Sequence, residues 1–389
     1  MAGVAPVSVG ILGVTGSIGT QALDVIRAFP DRFRLVAVSG HTNSLGLAAI
    51  ANEFRPERVA VGSADQVAII RKHMDYDPVI EVGESGLVAL ATHPMDQLVV
   101  AIVGTAALPA VVAAIPHVPH IALANKEVLV AAGSRIMAMV RAHGTRLIPV
   151  DSEHSAVFQC LAAVDFNRDR IHHMTLTASG GPFWGRDPHT FDTITPAEAL
   201  RHPNWDMGSK ISVDSATMVN KGLEVIEAHH LFDMAWDRIR VVVHPQSIVH
   251  ACIETVDGAI LAHMGRPDMR YPIQYAMTYP ERWATPFKQD GLTALSGLEF
   301  FEPDRDAFPW LDLAICCGKA GGVMPIVFNA ANEVAVPLFL NGQVSFMGMY
   351  DTIRRILDAY AAETVVTIAD IIELDKRVKN HVTIRNSLV

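Results

Sequence analysis

Apolar residues along the first 150 positions alternate between two rhythms. Short, mostly apolar runs at Ser8–Leu12, Phe33–Val38, Arg58–Val61, Leu98–Ile102 and His120–Leu123 predict strands. Between them, Gly19–Phe29, Leu45–Phe54 and Ala64–His73 return their apolar residues every three or four positions, which predicts helices. Such alternation builds a mostly parallel sheet with helices on both faces, so residues 1–150 are expected to form a Rossmann-like doubly wound domain. The rhythm changes after Val150. Strand candidates at His173–Ala178, Ile239–Val243, Ile248–Glu254 and Ala259–His263 come with helices between them, an α+β pattern of one sheet with helices on one side over residues 151–283. Residues 284–310 are rich in Pro, Gly, Asp and Phe and predict a connector. Beyond it, Leu311–Ala320, Met324–Leu340, Ser345–Ala362 and Ile368–Ile384 are helical in period, so 311–389 is expected to be a small helical bundle.

Composition narrows the class. At 389 residues and 50% hydrophobic content, the chain has material for two or three cores and is not a disordered sequence. The formal net charge of −10 argues against a general nucleic-acid binder and against an anionic-membrane binder, while a few local cations still suffice for an anionic small substrate. No apolar run reaches the roughly 18 residues of a bilayer span, and the N-terminus enters a strand without a basic region and cleavage site. Cys160, Cys252, Cys316 and Cys317 form no C-x-x-C pair, so a reduced, cytoplasmic setting is expected.

Several segments carry candidate chemistry. Gly13-Val14-Thr15-Gly16-Ser17-Ile18-Gly19 lies between the first strand and the first helix, where glycines let the backbone approach a pyrophosphate and the helix amides face its charge. The second strand ends Ser39-Gly40-His41-Thr42-Asn43 without the acid that would bind a free ribose 2′-hydroxyl. A 2′-phosphate is tolerated there, with the Gly40 amide, His41 and Asn43 as its expected partners, which favours NADPH. Asn125-Lys126-Glu127 follows a strand, at an edge where ligands bind in doubly wound sheets. It equally suits an N-cap with an exposed ion pair.

Asp151-Ser152-Glu153 follows the apolar run Leu147–Val150. Carboxylates two positions apart at a strand end face one way and suit Mg²⁺ or Mn²⁺. The same triplet also suits the cap of a helix beginning near Ser155. In the polar run 211–224, Ser215, Asn220 and Lys221 offer donors for a phosphate, and Glu224 shares a helix face with Lys221 and offers a third metal carboxylate. A solvated helix face is the plainer alternative. Ser179-Gly180-Gly181 can form an anion nest. Residues 201–210, with Trp205, Met207 and Gly208, form either a closing loop or a stretch that packs Trp205 into a core. His172-His173 and His229-His230 show no ligand pattern and are expected at the surface or in packing.

Taken together, GVTGSIG (13–19), LANKE (123–127), DSEHSA (151–156), ASGGPF (178–183), HPNWDMG (202–208) and SVDSATMVNKGLEVIEA (212–228) closely resemble the 1-deoxy-D-xylulose 5-phosphate reductoisomerases. HPQSIVH (244–250), GRPDMRYPI (265–273) and FNAANEVAV (328–336) match in the same order. The resemblance implies an NADPH-binding domain, a central catalytic domain, a C-terminal helical bundle and a homodimer assembled through the central domain. It implies cofactor binding by Thr15, Gly16, Ser17, Ile18, Asn125, Glu127 and Gly208. Asp151, Glu153 and Glu224 would hold Mg²⁺, Mn²⁺ or Co²⁺. Ser179, Ser215, Asn220 and Lys221 would grip the phosphate of a sugar substrate, with His202 and Trp205 on a closing loop. Ser152 and Lys126 would meet its reacting end. The implied reaction is metal-assisted rearrangement and NADPH reduction of 1-deoxy-D-xylulose 5-phosphate. One departure is the 39–43 segment, one residue longer than the family's usual A-G-x-N.

Overall fold

The structure, a computed structural model, describes residues 5–386 apart from 206 and 296. Seven strands and seven helices alternate through the first part of the chain: β1 (Val7–Leu12), α1 (Ser17–Ala28), β2 (Phe33–Ser39), α2 (Ser44–Phe54), β3 (Arg58–Val61), α3 (Ala64–His73), β4 (Val79–Val82), α4 (Gly83–Ala91), β5 (Gln97–Val100), α5 (Leu108–Ala114), β6 (His120–Leu123), α6 (Glu127–His143), β7 (Arg146–Pro149) and α7 (Ser152–Ala162). The strands form one parallel sheet in the order β4-β3-β2-β1-β5-β6-β7. Its inner strands are largely apolar on both faces because helices cover both, as the buried Leu98, Val99 and Val100 of β5 illustrate. The return from β4 to β5 places β5 beside β1, which makes the carboxyl ends of β1 and β5 the topological switch point where ligands of such sheets bind.

The sequence signals for β4 and α4 are weak for a physical reason. β4 is a four-residue edge strand with no fully buried position, so neither continuous burial nor alternation marks it. By contrast α3 is announced by its capping box, Ser63 with Gln66.

The rest of the chain contains β8 (Ile171–Ala178), α8 (Pro196–Ala199), α9 (Ser209–Ala216), α10 (Val219–Phe232), β9 (Ile239–Val243), β10 (Val249–Thr255), β11 (Ile260–Met264), α11 (Arg270–Thr278), α12 (Trp310–Ala320), α13 (Met324–Leu340), α14 (Phe346–Tyr360) and α15 (Ile368–Asn386). The chain divides into two compact units. The first comprises residues 1–128, 136–155 and 268–288, and the second 129–135, 156–267 and 289–389. In the first unit α11 returns to pack on α1, and Trp283 closes over Phe29, Phe33 and the Arg32 guanidinium.

In the second unit a four-stranded sheet has the order β11-β10-β8-β9, with β10 antiparallel to both neighbours and β8 parallel to β9. The irregular stretch after residue 288 joins this sheet only through a bridge between Phe301 and Val243, among the described residues. α13 is apolar nearly all round and is covered by α9, α12, α14 and α15, which is why it forms the centre of the helical part. Phe346 joins this core to the loops around it, with its ring 5.3 Å from Phe183, 5.8 Å from Phe191, 5.4 Å from Trp310 and 5.8 Å from Phe339.

Candidate active site

In the first unit the candidate residues all follow the carboxyl ends of parallel strands. The turn after β1 is set by Gly13, whose φ of +84° belongs to the left-handed region and whose Cα lies against Ala101, so an added Cβ would stand 2.7 Å from the Ala101 carbonyl oxygen. The Gly13 and Val14 amides donate to the Ser39 carbonyl at 3.1 and 2.8 Å, and the Gly16 amide turns inward to Gly13 O at 3.1 Å. No side chain caps α1, so its first amides, at Ser17 and Ile18, are the donors this turn offers to an anion. Thr15 is half-buried, whereas Gly16 and Ser17 are exposed.

Beyond β2, the structure corrects one expectation. The Gly40 amide donates to Ala60 O at 3.0 Å and so is consumed by β3. His41 and Asn43 are exposed, and Asn43 caps α2 by accepting from the Gly46 amide at 2.9 Å. After β6, Asn125 is a clamp. It donates to Ile102 O and Gly104 O at 2.6 and 2.7 Å and accepts from Val128 N at 2.8 Å, tying the switch-point loop to the start of α6. Lys126 and Glu127 beside it are buried.

The triplet Asp151-Ser152-Glu153 does not lie on a strand. β7 ends at Pro149, and α7 begins at Ser152 rather than near Ser155, so Glu153 sits in a first helical turn and the alternation argument does not apply. Asp151 holds the position before that helix: its carbonyl accepts from the Ser155 amide at 2.8 Å and its Oδ1 from the Glu153 amide at 3.3 Å. The capping residue and the candidate metal carboxylate are therefore one and the same. Lys126 Nζ lies 2.8 Å from Asp151 Oδ2, and His154 Nδ1 lies 3.4 Å from Oδ1. Burial works against the Asp151 charge, but the Lys126 ammonium and then His154 outweigh it and hold the carboxyl well below the usual carboxylate range. Ser152 Oγ donates to Glu153 Oε2 at 2.5 Å. His154, fully buried, was not singled out from the sequence. Its signal was the D-x-x-H spacing, which places His154 one turn past the cap.

The second unit gathers the candidate phosphate ligands. Ser179 follows β8, and its Oγ accepts from the Gly181 amide at 3.1 Å. It also lies 2.9 Å from His202 Nε2. His202 Nδ1 accepts the backbone amides of Asn204 and Trp205 at 3.1 and 3.0 Å, so its proton is on Nε2 and is donated to Ser179. Burial pushes His202 down to about 4, which keeps this neutral tautomer. With both lone pairs of Ser179 Oγ taken, its own proton points to whatever binds there. Gly181, with φ +67°, comes so near the end of α9 that a Cβ would meet Ser215 O at 2.7 Å, which places the nest beside Ser215.

Gly208 is the N-cap of α9, and Trp205 is half-buried with its ring 6.3 Å from His250. The loop is held by Asn204, which donates to Pro245 O at 2.6 Å and Ser247 Oγ at 3.0 Å, a role the sequence did not disclose. Asp206 lies outside the described residues. α9 and α10 are separate helices, broken at Met218 with φ +62°. In the first turn of α10 Asn220 donates to Glu224 Oε1 at 2.6 Å, and Lys221 forms a buried ion pair with Glu224 Oε2. The shared face read from the i, i+3 spacing is present.

Three family profiles cover the chain: 1-deoxy-D-xylulose 5-phosphate reductoisomerase over residues 9–133, its C-terminal domain over 147–232, and a DXP reductoisomerase C-terminal domain over 264–381. The reductoisomerase of Geobacter sp. (strain M21) is 49% identical, covering 94% of this chain and 95% of its own. That of Pelotomaculum thermopropionicum is 46% identical over 95% and 96% of the two chains. The Zymomonas mobilis enzyme, solved in complex with NADPH, superposes with a TM-score of 0.91 at 38% identity over 99% of this chain and 100% of its own. A DOX-P reductoisomerase solved with NADPH, fosmidomycin and magnesium gives 0.92 at 38% identity over 98% of each chain. The chain belongs to the 1-deoxy-D-xylulose 5-phosphate reductoisomerase family.

Proposed function

We propose that this chain converts 1-deoxy-D-xylulose 5-phosphate to 2-C-methyl-D-erythritol 4-phosphate, using NADPH and a divalent cation, Mg²⁺, Mn²⁺ or Co²⁺, in the non-mevalonate isoprenoid pathway. The observation that carries the reading is Asp151, a half-buried carboxylate kept ionised by Lys126 at the carboxyl edge of the dinucleotide-type sheet. An ionised carboxylate is a hard oxygen donor that suits such a cation. Asp151, Glu153 and Glu224 are the proposed ligands, all oxygen donors. The turn Thr15–Ile18, with its uncapped helix amides, suits the pyrophosphate of NADPH, and His41 and Asn43 remain as side chains for its 2′-phosphate. Asn125, Glu127 and Gly208 complete the proposed cofactor site.

When bound, the cation supplies Lewis acidity to the ketone and adjacent hydroxyl, and NADPH supplies the hydride. This chain's own groups orient and anchor. Ser179, Ser215, Asn220 and Lys221 hold the substrate phosphate, and that remote grip orients the reacting carbons. His202 fixes the Ser179 hydroxyl, and Trp205 covers the site and excludes water. Lys126 keeps Asp151 charged and, with Ser152, faces the reacting end of the sugar. We further propose a cytoplasmic homodimer. All four cysteines are free, and no helix among the described residues is long and apolar enough to cross a membrane.

The test is NADPH oxidation with 1-deoxy-D-xylulose 5-phosphate before and after chelation, and in Glu153→Gln. Activity should vanish with chelator, return with Mg²⁺, and be lost in the variant. Undiminished turnover in either arm sinks the assignment and favours a metal-independent NADP-linked dehydrogenase of the semialdehyde or homoserine type.

A further inference from the structure

Adjacent residues of a regular strand point to opposite faces, so His172 and His173 should never share a ligand. The register of β8 against β10 is not regular at this point. Glu254 is paired with His173, but the next residue, Thr255, is paired with Ile171, which leaves His172 as the extra residue of a β-bulge. A bulge re-aims side chains. Here it turns both imidazoles toward Glu254. The Nδ1 atoms of the two histidines lie 3.0 Å apart, His172 Nδ1 lies 3.3 Å from Glu254 Oε1, and His173 Nδ1 lies 3.6 Å from Glu254 Oε2.

These separations have a specific meaning. An ion bonded to nitrogen and oxygen at about 2.0–2.1 Å in tetrahedral geometry sets its ligands roughly 3.3–3.4 Å apart. The two nitrogens stand slightly closer than that edge, and each stands near it from a different oxygen of Glu254, so closure on one oxygen requires a small rotation of the carboxylate. All three residues lie within one sheet of one unit, so the arrangement depends only on strand register. The His172 side chain is 59% exposed, which leaves an entry path from solvent.

We propose that His172, His173 and Glu254 form a second metal site, for a borderline transition-metal ion of the Zn²⁺ or Ni²⁺ class. Two imidazoles and one carboxylate select this class over Mg²⁺, which prefers oxygen. Three protein ligands leave the fourth position to water. Arg240, on β9 across β8 from Glu254, has its guanidinium 3.6 Å from Glu254 Oε2, fixes the carboxylate and tempers the affinity by its charge. The alternative use of the same groups is an ion-pair cluster in which Glu254 neutralises Arg240 and the histidines.

Equilibrium dialysis of the untagged full chain against Zn²⁺, with Mg²⁺ in excess to occupy oxygen-donor sites, separates the two. One Zn²⁺ per chain should be retained, and His172→Ala and His173→Ala should each weaken it by at least about tenfold. Mg²⁺-supported turnover should be unchanged, since neither residue belongs to the active site. Co²⁺ bound in place of Zn²⁺ should show the intense visible bands of a four-coordinate ion in the wild type and lose them in His172→Ala. If His173→Ala does not fold, the exposed His172→Gln carries the comparison. Zn²⁺ retention that is unaltered in the His172 variants, or absent from the wild type under excess Mg²⁺, overturns the proposal and leaves the ion-pair cluster.

Discussion

Replacing Asn332 tests whether the end of α9 proposed to bind phosphate is held from behind. Asn332, on α13, donates from Nδ2 to Asp214 Oδ1 on α9 at 2.8 Å, and the two residues are 2% and 1% exposed. The other carboxylate oxygen lies 2.8 Å from Lys210 Nζ without hydrogen-bond alignment, so that contact is an ion pair and Asn332 supplies the directional bond. Asn332→Leu nearly preserves volume while removing the donor, and should cost about 1.5–3 kcal/mol, the range for a hydrogen bond to a charged group. Asn332→Ala should cost about 1 kcal/mol more, for the cavity it leaves. Because Ser215 lies in the last turn of α9 beside the Gly181 nest, KM for the phosphorylated substrate should rise about tenfold, equivalent to ~1.4 kcal/mol, with a smaller change in kcat. The assay is urea unfolding of Asn332→Leu, Asp214→Asn and the double variant, together with steady-state kinetics. A coupling energy of about 1–2 kcal/mol is expected for residues in contact. Coupling below about 0.5 kcal/mol, with an unmoved KM, would refute the anchoring argument.

Other predictions rest on other parts of the molecule. Gly13→Ala meets both a left-handed backbone and the Ala101 carbonyl, so it should cost at least about 1–2 kcal/mol and weaken NADPH binding more than tenfold, read by cofactor fluorescence. Phe346→Ala should destabilise the helical core by about 3–5 kcal/mol and loosen the nest that Phe183 anchors, read by thermal unfolding and by substrate KM. The loop held by His202 should depend on pH with a definite sign. Its pKa is depressed in the folded loop from 6.5 to about 4, so the released loop takes up the proton first. Docking is therefore complete above about pH 6.5 and is lost as pH falls toward 4. Trp205 emission should report that loss, and His202→Gln should flatten its pH profile. A Trp205 profile identical in the wild type and variant would contradict it.

The fold was legible where burial is uniform and illegible where it is not. Strands such as β3 and β6 show in the sequence as runs of three buried apolar residues after one polar residue, because both faces of their sheet are covered. β4 is short, exposed and at the edge, so its residues carry no such constraint. The candidate site was legible in its residue types and less so in its geometry. Asp151 and Glu153 were paired by a strand argument, yet they stand at the start of a helix, where capping orients the same carboxylate. Contacts between distant segments, such as Asn204 with Pro245 and Ser247 or Asn332 with Asp214, leave no local trace. The bulge at His172 depends on the register of two strands about eighty residues apart, which neither strand's own pattern specifies.

The two bonds that Ser179 Oγ accepts have a consequence for selectivity. A serine hydroxyl is ordinarily ambivalent, able to give or receive and so to welcome either an anion or an alcohol. Here the Gly181 amide and the neutral His202 ring occupy its receiving capacity, and the hydroxyl becomes polarised in one direction. A ligand arm that presents its own O–H at this point brings a proton that Ser179 has no lone pair to accept, while a fully ionised phosphate brings only acceptors. Charge discrimination at this position therefore comes from how neutral groups are oriented, and substrate analogues in which the phosphate is replaced by a hydroxymethyl group should lose more affinity than the missing charge alone explains.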